Sequence, residues 1–118
     1  MNAERYAVLS EALERIVHTL VTEYQPEKII LFGSMATGDV GEWSDIDLAI
    51  IKDTPKRFIE RLKEVALLCR EVRVGVDYLV YTPGELRRMI AERHPFVVGE
   101  ILNKGKVVYE RQPSAAMA

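Results

Sequence analysis

The chain has 118 residues, 48% apolar and 29% charged, the balance of an ordinary globular core rather than a disordered or membrane-spanning class. That length predicts one domain over residues 1–111, with no room for a second to hold a separate substrate. A net charge of −2 lacks the basic surplus that nucleic-acid binders use to neutralise phosphates, and with no signal-peptide core or apolar run of about 20 residues a cytoplasmic protein is expected.

The first predicted element is an amphipathic helix from about Arg5 to Tyr24, with Leu9, Leu13, Ile16, Val17, Leu20 and Tyr24 at three- and four-residue steps. Pro26 breaks it, and Lys28 to Phe32 (KIILF) reads as a short buried strand that Gly33 ends. Ser34 to Gly38 form a turn or short helix. The polar connection Asp39 to Ser44 (DVGEWS) then leads to a second strand carrying Ile46, Leu48, Ala49, Ile50 and Ile51. Trp43 is expected to pack over this connection rather than to stack on a base.

Thr54-Pro55 reads as an N-cap and first helical position, opening a helix with Phe58, Leu62, Val65, Ala66 and Cys69 on its apolar positions. Cys69 on that stripe is a packed thiol rather than a nucleophile. Val74 to Tyr81 is a third strand with Asp77 in its middle, and Thr82-Pro83-Gly84-Glu85 is a capping box that starts a helix towards His94. A short helix from Pro95 to near Gly105 and an edge strand from Lys106 to Tyr109 follow. Gln112 to Ala118 is expected to be a frayed tail. Neither His18 nor His94 has a Cys or second His at metal-ligand spacing.

Aspartate is a poor strand former and costly to bury, yet Asp45 and Asp47 stand at the entrance of the second strand. Two residues apart on a strand, they project to one face, with Ile46 and Leu48 turned into the other layer. If a neighbouring strand brings Asp77 to the same spot, three carboxylates repel, and a divalent cation is the simplest compensation. Oxygen ligands without His or Cys favour Mg²⁺ or Mn²⁺, which complete their shells with water and substrate phosphate. Gly33-Ser34 offers a seat for that phosphate through close backbone approach and a hydroxyl. Taken singly, each feature has a plainer explanation: Gly33-Ser34 a turn, Asp45 a loop cap, Asp77 a solvent-facing strand residue.

Their order and spacing resemble a known signature. Gly33-Ser34, ten residues, then Asp45-Ile46-Asp47, with a later Asp77 in VDYLVY before Thr82-Pro83, resembles the minimal nucleotidyltransferase (MNT) branch of the DNA-polymerase-beta-like nucleotidyltransferase superfamily. The resemblance spans roughly Lys28 to Glu85. It implies an α/β (α+β) fold with a palm-like mixed sheet flanked by helices. It further implies Asp45, Asp47 and Asp77 as catalytic residues and ligands of two Mg²⁺ ions, and Gly33 and Ser34 as contacts to the phosphates of ATP. One ion lowers the pKa of the attacking hydroxyl and the other holds the triphosphate.

Relatives often have arginines where this chain has Met35 and Thr37, and Lys52 or Arg73 are candidates to replace them. MNT proteins of this size resemble the antitoxins of HEPN/MNT toxin–antitoxin pairs, in which AMP goes to a tyrosine of a helical HEPN ribonuclease. Two other expectations stand beside that one. The chain is a small-molecule nucleotidyltransferase whose homo-oligomeric neighbour completes the pocket, or a nucleotide-binding module that occludes its partner without turnover.

Overall fold

The computed structural model describes residues 1–112, so most of the expected tail lies outside the described residues. Ten elements follow in order. Helix α1 (Ala3–Thr19) is opened by Asn2, whose side chain accepts from the Arg5 amide, and continues through a wider turn, Leu20–Tyr24, closed by Gln25 in the left-handed region. Then come β1 (Lys28–Phe32), the one-turn α2 (Ser34–Thr37), β2 (Ile46–Ile51), α3 (Phe58–Leu68), β3 (Val76–Tyr81), α4 (Pro83–Ala91), the wide-turned α5 (Phe96–Asn103) and β4 (Lys106–Glu110).

The four strands make one mixed sheet in the order β3-β2-β1-β4. β1 pairs antiparallel with both β2 and β4, whereas β2 and β3 are parallel, a pairing that requires the crossover which α3 supplies. Alternation along the strands gives each face its own core. Ile29, Leu31, Ile46, Leu48, Ile50 and Val80 pack with Leu9, Ile16, Leu20 and Val65 under α1 and α3. On the opposite face Ile30, Phe32 and Ala49 pack with Val97, Ile101, Leu86 and Met89 under α4 and α5. The expected α/β (α+β) fold, with a palm-like mixed sheet flanked by helices, is therefore the one observed.

Two boundaries differ from the sequence expectation. α3 starts at Phe58 rather than Pro55, because the Thr54 hydroxyl accepts from the Lys56 amide in a local turn and the Lys56 carbonyl accepts from Arg61 Nε at 2.7 Å. β3 starts at Val76 rather than Val74, although the Gly75 carbonyl still accepts from the Ile46 amide. The capping box is formed in full: Thr82 Oγ1 accepts from the Glu85 amide and Glu85 Oε1 from the Thr82 amide. Cys69 is buried, as expected of a packed thiol, whereas Ala66 is exposed.

Candidate active site

The direction of each strand brings the chemistry to one end of the sheet. β1 ends there while β2 and β3 begin there, and the register sets Phe32 opposite Asp47 and Asp47 opposite Asp77. Phe32 is buried and meets the Phe96 ring edge-to-face at 5.6 Å between centroids, which anchors one flank of that row. Gly33 follows at φ +76, ψ −157, a conformation close to glycine-only, and a Cβ there would overlap the Asp47 carboxylate. Glycine is thus needed at this position both for its backbone angle and to let Asp47 close against the β1 terminus.

Asp45, one residue before β2, is seated in the same way on a second glycine. A Cβ at Gly75 would lie 2.6 Å from its Oδ1 and 2.8 Å from its Oδ2. From the other side, Arg5 of α1 donates through Nε to the Ser44 carbonyl at 3.0 Å and places Nη2 3.5 Å from Asp45 Oδ1. The loop before Asp45 is also held by the Asn2 amide on the Val40 carbonyl at 2.7 Å and by the Gly41 amide on Ser44 Oγ at 2.8 Å. Val40 takes the buried position of this loop, so Trp43 stands at its tip 86% exposed. The expectation that Trp43 packs over the loop is wrong: the loop closes on its own hydrogen bonds and on α1 without it.

Asp47 bears the electrostatic strain. Burial, the adjoining Asp77 carboxyl, and the negative charges of Asp77 and Asp45 together push its pKa up to about 6. Ser34, half-buried, opens α2 directly after Gly33, and its carbonyl accepts from the Gly38 and Asp39 amides. Met35 is buried, so no cation reaches solvent from that position, and the single Thr37 hydroxyl proton is shared among the Gly33 carbonyl, the Ser34 carbonyl and Asp39 Oδ2, all within 3.5 Å. Lys52 is not a replacement for the missing arginines. It lies five residues along β2 from Asp47, roughly 16 Å away, with Nζ donating to the Tyr24 carbonyl at 2.6 Å. Arg73 lines a cavity of about 610 Å³ between α1 and the segment before β3, and none of the five expected site residues lines that cavity.

Residues 14–114 match the family pattern described as Polymerase beta, Nucleotidyltransferase. The chain belongs to that family. The chain is 38% identical over 88 residues to a Methanocaldococcus jannaschii protein named "Putative protein adenylyltransferase MJ1305". The match takes in 70% of this chain and spans 58% of the length of that relative. Its fold is similar to that of a crystal structure titled as a "putative nucleotidyltransferase" from Sulfolobus solfataricus, with a TM-score of 0.67 at 22% identity, over 92% of this chain and 86% of that one.

Two residues that bear on Asp45 escaped sequence reasoning, Arg5 and Gly75. Arg5 lies before the family match, and nothing local to either residue marks it as a partner of Asp45. Among the described residues, no group of three or more His, Cys, Asp or Glu side chains is arranged to hold a metal by itself. The donor chemistry nevertheless fits a hard divalent ion that takes few protein ligands. Asp47 is a half-buried carboxylate whose pKa is raised first by burial and then by Asp77 and Asp45, and none of the salt bridges among the described residues gives it a cation.

Proposed function

We propose that this nucleotidyltransferase transfers AMP from ATP to a hydroxyl of a protein acceptor, a tyrosine of a HEPN-type toxin, and so acts as its antitoxin. The observation that carries the reading is the row Phe32–Asp47–Asp77 with Asp45 beside it, at the sheet end where Gly33 and Ser34 turn. Family membership and the printed name of the M. jannaschii relative support the choice of AMP and of a protein acceptor.

In this reading Asp45 and Asp47, with Asp77, hold divalent metal, Mg²⁺ in the first place, and when bound it neutralises triphosphate charge and makes the acceptor hydroxyl more acidic. Gly33 lets the triphosphate approach the backbone, and Ser34 offers it a hydroxyl. The acceptor oxygen bonds to the α-phosphorus as the α–β bridging bond breaks and pyrophosphate leaves. Asp77, the most exposed end of the row, takes the hydroxyl proton.

The test incubates the protein with labelled ATP, Mg²⁺ and the product of the adjacent gene, and follows intact mass. A gain of one AMP on that product, absent with Asp45→Asn and Asp47→Asn, is expected. Full neutralisation of the partner by both variants with no adduct would leave occlusion as the function. Adducts on a soluble acceptor without any partner protein would make this a small-molecule enzyme.

A further inference from the structure

Arg5 is the only basic side chain in the salt bridges of the carboxylate cluster among the described residues. Its placement is built rather than incidental. Its own amide is fixed by the Asn2 cap at 2.8 Å, its Nε by the Ser44 carbonyl at 3.0 Å, and only then does Nη2 reach Asp45 Oδ1 at 3.5 Å. Its side chain keeps just 26% exposure, whereas Asp45 keeps 49%. A guanidinium presents five N–H donors in a fixed fork. With Nε on the backbone and one arm towards Asp45, the fork has donors left for an anion.

We propose that Arg5 makes metal and nucleotide bind as a unit. In the ligand-free protein Arg5 holds the Asp45 carboxylate. To bind a bare divalent cation, Asp45 must give up that ion pair while the fixed guanidinium stays close and repels the added charge. A cation carried on a triphosphate presents net negative charge, and Arg5 then trades its carboxylate for phosphate oxygens, the kind of anion its fork suits best. No cation comes from the turn at Ser34–Thr37, where Met35 is buried and position 37 is a threonine. Because Nε is tied to the Ser44 carbonyl, the guanidinium pivots without leaving, and the charge stays at the mouth of the site throughout.

The opposite signs expected for the two ligands separate this role from plain support of the fold. In calorimetric titrations, Mn²⁺ alone is expected to bind Arg5→Gln about threefold more tightly than wild type. A non-hydrolysable ATP analogue at saturating Mn²⁺ is expected to bind it about tenfold more weakly. Arg5→Lys keeps a positive charge near Asp45 and is expected to retain the wild-type order for both. Weakening of both ligands by Arg5→Gln, or no change in either, overturns the proposal.

The inference rests on Asp45 being a metal ligand, so Asp45→Asn is measured in parallel. Unchanged Mn²⁺ binding by Asp45→Asn would sink the site assignment and this proposal with it. Loss of Mn²⁺ binding by Asp45→Asn, with same-sign effects at Arg5, would overturn the role of Arg5 alone.

Discussion

Gly75 shows how a single missing side chain serves the site. The Cβ of Gly75→Ala would press on the carboxylate end of the Asp45 side chain, which is half exposed and held on its other side only by the 3.5 Å contact with Arg5 Nη2. The fold should therefore lose less than about 1 kcal/mol, while transfer activity falls at least tenfold because the carboxylate is displaced. Gly33→Ala differs in kind. Its φ of +76 strains any L residue and its Cβ overlaps Asp47, so thermal unfolding should show a loss of about 1–2 kcal/mol in addition to lost activity. Asp47 itself gives a pH prediction. With a folded pKa of about 6 against an ordinary 3.8, the folded protein keeps a proton that the unfolded chain releases. Metal-free stability must then fall as pH rises from about 4 to 6 and level off above. Melting curves in EDTA at pH 5 and pH 7.5 should show the drop, Mg²⁺ should reverse it at the higher pH, and Asp47→Asn should abolish it. Asp45, Asp47 and Gly33-Ser34 could be singled out because strand alternation and motif spacing are local properties, whereas Asp77 entered only through the family resemblance and a strand pairing the sequence left conditional. Arg5 and Gly75 could not, since each becomes a partner of Asp45 only when distant segments fold together.

At the level of elements, one buried arginine ties three of them. Arg61 of α3 donates through Nη1 to the Val80 carbonyl of β3 at 3.1 Å, and its two arms reach the Glu85 carboxylate of α4 at 2.7 and 3.2 Å. Glu85 simultaneously closes the capping box of α4, and its bonds to Arg61 hold its pKa below the ordinary 4.5. Glu85→Ala removes both functions and leaves a buried guanidinium half-satisfied, which should cost about 2–4 kcal/mol by denaturant unfolding. The contribution is present above the ordinary carboxyl pKa and lost as pH falls through the lowered one, so the gap between wild type and variant should narrow in acid. The same arginine accounts for a misplaced boundary. Thr54-Pro55 carries a good helix-start pattern, but Arg61 draws the Lys56 carbonyl towards its own Nε and the helix waits until Phe58. The capping box at Thr82 was readable because all its bonds lie within four residues, whereas the link from Arg61 to Glu85 spans 24.

Across the whole molecule, the sheet carries an apolar core on each face and leaves its chemistry to one end, where β1 finishes and β2 and β3 begin. Charge is thereby collected without entering either core, and substitutions among the aspartates should change ligand binding while leaving the cooperativity of unfolding intact. The loop that closes this end lifts Trp43 away from everything else. It is the one tryptophan of the chain, and it is 86% exposed. The molecule therefore has its own optical reporter on the loop that leads into Asp45: its indole emission belongs to a largely hydrated ring. A protein acceptor that covers that loop must shift that emission to shorter wavelength, in real time and without any label. An emission that stays fixed through a complete round of transfer would place the docking of the acceptor on another side of the sheet.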